Sequence, residues 1–434
     1  MSDLRPDRWQ LPDGVHDLLP DEAWRIECLR RTVIDCCRAW GFELVMPPLI
    51  EYTDSLLTGS GEAMNLQTFK LVDQNNGRTL GVRADITPQV ARLDAHALRS
   101  ETPNRFCFSG TVLRTQADGA GGSRSPQQFG AELYGHAGHQ SDVEIIRLML
   151  ETLRVGGVPL SHQLLDLGHV GVYRALAQDA ALSTSDEARV FEAMQRGSVP
   201  DVRERLVVAG VAAGPADRLV DLCSLRGQIV GDVVADDSLI TLARRRLAGA
   251  SAGVDEALDE LTRIIAAVRV THPDVRLLVD LAELRGFSYH TGTLFAVHDG
   301  SGAELARGGR YDSVGEAFGH ARPATGFSGE LKRLLDSAAG AAAGTAGEGT
   351  AGASSASVGI EAAGTASADS ASENGRYLIH VADPFEPGAW QEVCRLRAAG
   401  FRVLCALPGR DDERQRCDRE LIRSEDGWSI EPLS

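Results

Sequence analysis

Long apolar runs are missing from this sequence, so no stretch of it is long enough to cross a bilayer as a helix. The opening residues, MSDLRPDRWQLPDG, also lack the basic-then-apolar pattern of a secretory leader. These two absences lead to the expectation of a cytoplasmic, reducing setting with no membrane partner. Cysteine is sparse, with eight in 434 residues and no Cys-x-x-Cys pair; Cys36 and Cys37 are neighbours. That pattern argues against a disulfide framework and against a cysteine-held metal, and the thiols read as buried. Positive charge is in deficit. The 44 Lys+Arg stand against 61 Asp+Glu, a net charge of −17. Affinity for nucleic acid rests largely on neutralised phosphates, so the charge argues against a broad phosphate-binding surface, though not against a local basic patch, and no nucleic-acid partner is expected. The acidity reads instead as solubility.

What remains is an ordinary globular composition, 43% hydrophobic, in a chain long enough for two or three folding units. The spacing of Trp24, Cys28, Leu29, Val33, Cys36 and Cys37 predicts a helix from Asp21 to Trp40, stopped by Gly41. FELVMPPLIEY (Phe42–Tyr52) reads as a strand running into a Pro-Pro break. Thr68–Leu80 reads as a hairpin turning at Gln74-Asn75-Asn76-Gly77. Thr87–Ala97 reads as a helix with Thr87 as N-cap and Pro88 at its first position. Arg105–Leu113 and Gln128–Tyr134 read as strands joined by the glycine-rich loop Ala117–Arg124, and Ser141–Val155 as a helix. From about Val172 to Arg269 the chain looks like a helical insertion. Strand sequence returns at Val275–Leu281. Ser337–Gly375 is mostly Ala, Gly, Ser and Thr with no aromatic residue, the composition of a flexible linker. The tail, residues 376–434, offers one βαβ-like unit: strand Tyr377–Ala382, helix Pro387–Ala399 and strand Arg402–Leu407. It is too small to be secure alone.

Three phrases crowd one short stretch: RGFSYHTGTLF (Arg285–Phe295), RGGRYD (Arg307–Asp312) and PATGFSGELKRLL (Pro323–Leu335). Each sets an arginine among glycines and aromatics. Guanidinium forks take carboxylates or phosphates, glycines let backbone approach a ligand, and aromatic rings make flat walls with polar tips. Together they suit a pocket for a small, partly aromatic ligand that carries an anion. Further residues upstream have the chemistry to join it. Asp85, in VRADITPQ, precedes a helix start, where it either receives an ammonium group or helps cap the helix. Arg114 sits at a strand end, before glycines that either cradle phosphate or merely turn. Gln128, Gly130 and Glu132 alternate along a strand and share one face, either a pocket floor or a solvated sheet face.

Polar residues on several antiparallel strands, with arginines at strand ends, resemble the active site of class II aminoacyl-tRNA synthetases, and the chain is similar to the histidyl-tRNA synthetase family over roughly residues 10–336. LPDGVHDLLPDE resembles that family's opening. MPPLIE resembles its first motif, which forms a dimer interface; Arg114 and Arg333 match the arginines of the second and third. RGFSYHTGTLF resembles its histidine-recognising signature, with Arg285 at the special arginine. The fold implied is α+β: a class II synthetase-like antiparallel sheet flanked by helices, with a helical insertion (about 172–269) and a small C-terminal α/β unit. On this reading the core spans 1–336, the linker 337–375 and the C-terminal unit 376–434.

The resemblance implies bound free histidine, with no metal or cofactor. Asp85, Gln128 and Thr87 would meet its α-amino group and Glu132 an imidazole nitrogen. Tyr289 and Tyr311, with the neighbouring His290, would wall the ring, and Arg114 and Arg285 would address the carboxylate. Departures from the synthetase pattern are equally specific. Leu113-Arg114-Thr115-Gln116 replaces Phe-Arg-His-Glu. Glycines replace a basic ATP loop. Ser288 and His290 replace an Asp and a Tyr, and Asp85 replaces a Glu. The tail is far shorter than an anticodon-binding domain. These departures, with RADITPQ, RPATGFS and the LPG…CDR…GW tail, resemble a synthetase paralogue of histidine biosynthesis, the family of ATP phosphoribosyltransferase regulatory subunits. That family implies no catalytic residue here, a hetero-octamer with the short-form catalytic subunit, activation of that subunit and a part in histidine feedback. The alternative is an active histidine–tRNA ligase.

Overall fold

The structure, a computed structural model, describes residues 10–59, 62–118, 122–284, 289–346, 377–386, 388–424 and 427–433. Helix α1 (Pro20–Ala39) buries Ile26, Leu29, Val33 and Cys37, one stripe at three- and four-residue spacing. Trp24, expected on that stripe, is instead 63% exposed. Gly41, at φ +86°, ends the turn, where a side chain would be strained. The expected strand Phe42–Tyr52 is broken by its two prolines into β1 (Glu43–Leu44) and β2 (Ile50–Tyr52). Short helices α2 (Thr53–Leu56) and α3 (Glu62–Gln67) precede the hairpin β3 (Phe69–Val72) and β4 (Thr79–Val82), which pairs with β2 in a three-stranded sheet.

Helix α4 (Thr87–Arg92) is shorter than expected. It passes into a π-helical turn, Leu93–Leu98, closed by Arg99 in the left-handed region. Ile86 holds the N-cap position, so Thr87 is not the cap. Strands β5 (Asn104–Thr111) and β6 (Gln127–Tyr134) form the next hairpin, and α5 (His139–Val155) lies behind it, buried along most of its length. Strand β7 (Leu164–His169) follows.

The segment expected to be a helical insertion holds α6 (Val170–Asp179), α7 (Thr184–Gln195), α8 (Val199–Val208), α9 (Ala213–Leu222), α10 (Leu239–Arg246) and α11 (Ala252–Thr271). It also holds a strand, β8 (Arg226–Ile229), which joins the main sheet through β9 (Arg276–Asp280). The main sheet is completed by β10 (Thr293–His298), β11 (Glu304–Arg310) and β12 (Ala324–Glu330). Its order is β1-β5-β6-β12-β11-β10-β7-β9-β8. All neighbours are antiparallel except β1–β5 and β7–β9. One large apolar cluster joins α1, α5, α11 and the sheet face that carries Phe129, Ala131 and Leu133.

Helix α12 (Leu331–Ala346) runs ten residues into the stretch expected to be linker. The correction is physical: alanine is the strongest helix former, and a helix already nucleated needs no new start. Residues 347–375, the rest of that expected linker, lie outside the described residues, as does Arg376. The C-terminal unit is larger than a βαβ. Strands β13 (Leu378–Val381) and β14 (Arg402–Cys405) with the helix Ala389–Ala398 are joined by β15 (Arg419–Ser424) and β16 (Gly427–Pro432), in the order β14-β13-β15-β16.

This unit docks on the core. Trp390 meets Trp40 edge-on at 5.8 Å, and Arg397 lies 3.7 Å over the Trp40 ring. His272 is buried beside Trp390, and that burial, with Arg147 nearby, pulls its pKa down to about 4. A histidine depressed in the folded state supports stability above its unfolded pKa, near 6.5. That support drains as pH falls toward 4. Between pH 6.5 and 5 the loss from this residue is about 2 kcal/mol. Urea unfolding at the two pH values is expected to show it in the wild type, and His272→Gln is expected to abolish that part of the pH dependence.

Candidate functional site

The pocket is built on the sheet face opposite the helical layer. Strands β6 and β12 pair with Glu132 opposite Gly326 and Gly130 opposite Ser328, and β12 pairs with β11 with Gly326 opposite Gly309. Alternation then puts Gln128, Gly130, Glu132, Gly326 and Ser328 on one surface. Glycine is required there by space. A Cβ at Gly326 would collide with Glu132 Oε2, and one at Gly130 would strike the Phe108 ring and the Phe327 carbonyl. The hollow so kept open has a volume of about 470 Å³.

Asp85, Thr87, Arg114, Gln128, Glu132, Tyr289, His290 and Tyr311 all line it. Arg285, the ninth expected site residue, lies outside the described residues, as do Gly119 and Gly121 of the glycine-rich loop. Asp85 is tied both to the turn before α4 and to the pocket floor. Its Oδ1 accepts from the Thr87 amide at 2.9 Å, a capping contact, and from Gln128 Nε2 at 2.9 Å in the pocket. Gln128 Oε1 in turn accepts from the Ile86 amide at 3.0 Å. The turn before α4 and strand β6 are thus locked to each other. The Thr87 hydroxyl, freed from capping, donates to Glu132 Oε1 at 2.8 Å.

Glu132 is buried, and its Oε2 has no hydrogen-bond partner among the described residues. Burial pushes its carboxyl well above the ordinary carboxylate range. The Thr87 hydrogen bond opposes the shift, and the Asp85 charge adds to it. Such a group gains most from a ligand that brings an N–H donor. Tyr289 and Tyr311 stack with ring centroids 5.1 Å apart, and His290 stands edge-on to Tyr289 at 5.5 Å. The hydroxyls of both tyrosines are buried and without a partner among the described residues. These rings and oxygens form a slot for a small flat ring with polar edges.

Arg307 of the second arginine phrase lines the cavity from β11, and sequence reasoning missed Asp166 on β7, Glu283, and Glu304 on β11, which line it too. Asp166 had a usable signal: a carboxylate inside the apolar run of a buried strand is rare without a purpose. With these residues counted, six carboxylates face two guanidiniums in the described lining, Arg114 and Arg307. The described lining therefore has places for a cationic group of a ligand as well as for an anion. The arginines of the three phrases also divide by role. Arg310 is structural. It bonds Asp142 through Nε and Nη2 at 3.0 and 2.9 Å and reaches the Gly138 carbonyl, pinning β11 to the start of α5. Arg333 pairs with Glu330 at 3.0 Å. Among the described residues no group of three or more His, Cys, Asp or Glu side chains could hold a metal ion, and no helix is long and apolar enough to cross a membrane.

An antiparallel sheet with a polar pocket on one face and helices on the other is the class II aminoacyl-tRNA synthetase-like fold. The family model described as histidyl-tRNA synthetase matches residues 14–334, and the one described as ATP phosphoribosyltransferase subunit HisZ C-terminal domain matches 378–431. A relative from Thioalkalivibrio sulfidiphilus named ATP phosphoribosyltransferase regulatory subunit is 48% identical, across 98% of this chain and 99% of its own length. A Bacillus halodurans crystal structure described as an ATP phosphoribosyltransferase regulatory subunit/histidyl-tRNA synthetase superposes with a TM-score of 0.67 at 25% identity, covering 95% of this chain and 96% of that one. The chain of a Thermotoga maritima structure described as an ATP phosphoribosyl transferase (HisG:HisZ) complex shares the fold, with a TM-score of 0.52 at 15% identity, over 73% of this chain and 98% of that one. The chain belongs to the family of ATP phosphoribosyltransferase regulatory subunits. It is a regulatory subunit rather than a histidine–tRNA ligase.

Proposed function

We propose that this chain binds the short-form catalytic subunit of ATP phosphoribosyltransferase in the cytoplasm, raises its activity in the first step of histidine biosynthesis, and relays feedback from free histidine held in the pocket. The observation that carries this reading is the intact clamp of Asp85, Gln128, Thr87 and Glu132 beside the Tyr289–Tyr311 slot. Histidine carries one ammonium, one carboxylate and a ring with donor and acceptor nitrogens. Asp85 and Gln128 suit the ammonium, the buried Glu132 suits a ring N–H, and Arg114 and Arg285 suit the carboxylate. The chain is also proposed to pair with a second copy along β1 and β2, edge strands of two different sheets, where Leu44, Met46, Leu49 and Ile50 stand exposed, with a hetero-octamer as the full assembly.

An activator of this kind acts through a coupling free energy, typically ~1–3 kcal/mol or roughly 5–150-fold. Purified catalytic subunit is expected to gain activity of that order when this chain is added, and to lose it as histidine is titrated in. Equal activity of the catalytic subunit alone would overturn the regulatory reading. A complex carrying Arg285→Ala and Glu132→Ala is expected to resist histidine. If it is inhibited like the wild type, feedback acts elsewhere than this pocket.

A further inference from the structure

Beside the main cavity lies a side chamber of about 40 Å³, and its walls bear three guanidiniums: Arg114, Arg307 and Arg333. Each is matched by a carboxylate of this chain. Arg307 Nε meets Glu304 at 2.9 Å, and Arg114 Nη1 meets Asp118 at 2.6 Å. Glu330 serves two of them together. Its Oε1 lies 2.9 Å from Arg114 Nη1 and its Oε2 lies 3.0 Å from Arg333 Nε. Both oxygens of one carboxylate are thus spent on two arginines from separate elements, a strand end and helix α12.

We infer that Glu330 is a built-in anion that occupies a two-arginine site and thereby keeps phosphate-bearing ligands out of the chamber next to the pocket. Arginine forks accept carboxylate and phosphate oxygens by the same geometry, so two arginines holding one carboxylate could hold one phosphate group instead. Glu330 reaches them because it ends β12, opposite Gln128, on the same alternating face as Gly326 and Ser328. With Glu330 in place the described lining of the chamber carries three positive and three negative side chains, so among those residues no charge is left over to neutralise an oligophosphate. Entry would also require displacing Glu330, only 12% exposed, from both partners. This inference does not depend on histidine being the ligand of the main pocket. It assigns to one side chain of this protein the discrimination between a bare amino acid and a nucleotide-bearing one.

The probe is inorganic pyrophosphate, measured by isothermal titration with the full-length chain at fixed low salt. The wild type is expected to bind it at least roughly tenfold more weakly than Glu330→Ala, a gain on the scale of charge-assisted hydrogen bonds. Glu330→Gln, which keeps the shape and removes the charge, is expected to gain in the same direction and serves if the alanine variant misfolds. The gain is expected to vanish when Arg333→Ala is added. Wild-type affinity equal to that of both variants would overturn the inference. So would a folded Glu330→Gln chain with no gain, or a gain that survives Arg333→Ala. Histidine affinity and activation of the catalytic subunit, read on the same variants, report on the proposed function, so failure of either claim is visible separately.

Discussion

Arg105→Ala is expected to cost about 3–5 kcal/mol of stability in urea and to release the C-terminal unit from the core. Arg105 is 3% exposed, on β5, the strand next to the sheet edge. It holds Glu144 of α5 with two bonds, Nε to Oε1 at 2.7 Å and Nη2 to Oε2 at 2.9 Å, and its Nη1 reaches Glu413 of the C-terminal unit. Glu413 is fully buried, and its other oxygen accepts from the Leu407 amide. Burial alone would lower the arginine pKa. The Glu144 and Glu413 charges outweigh it, and the guanidinium is held charged above its ordinary range. Its removal strands two carboxylates away from water, the costly way to break a buried ion group. Hydrogen exchange of β13–β16 is expected to rise in the variant before that of β6 or β12. A variant within about 1 kcal/mol of wild type, with an equally protected C-terminal unit, would show that the Trp40–Trp390 contact carries the docking instead.

Glu132→Ala is expected to weaken free histidine by roughly 30-fold or more in direct titration. Truncating one partner of a buried, hydrogen-bonded charged contact costs ~2–5 kcal/mol, and each 1.4 kcal/mol is about tenfold. The Thr87 hydroxyl would lose its acceptor at the same time. Histidinol, which keeps the ring and the ammonium but lacks the carboxylate, is expected to suffer the same factor from this substitution. If histidinol and histidine respond differently, Glu132 does not read the ring. Full histidine affinity in the variant would remove Glu132 from the site.

The parts of this molecule that could be read from sequence are those governed by local pattern. The α1 stripe, the β5–β6 hairpin and the shared face of Gln128, Gly130 and Glu132 all follow from periodicity. Strand β7 escaped because LLDLGH, buried on both faces, shows no alternation, and with it went Asp166. Thr87 was misassigned because capping is a local rule, while its hydroxyl answers to Glu132, forty-five residues away. Strands β15 and β16 were missed because their partner is the unit itself: RELIRS acquires sides only once β13 is beside it, and GWSIEP only once β15 is. The pairing of Glu330 with both Arg114 and Arg333 was equally invisible, since no spacing rule connects a strand end to a residue 216 positions earlier.

The order of strands in the main sheet has a consequence for how the chain leaves the ribosome. The pocket floor is β6 against β12, with Gly130 opposite Ser328, so the hairpin that carries Gln128 and Glu132 waits until about three quarters of the chain has been made before its neighbour arrives. Until then β6 presents a bare edge of backbone donors and acceptors, the kind of surface on which nascent chains stick to one another. Closure over so long a separation is slow. A newly made chain is therefore at its most vulnerable through the whole synthesis of α6 to α11, and becomes competent to hold a ligand only when its last core strand is threaded between two that have been waiting.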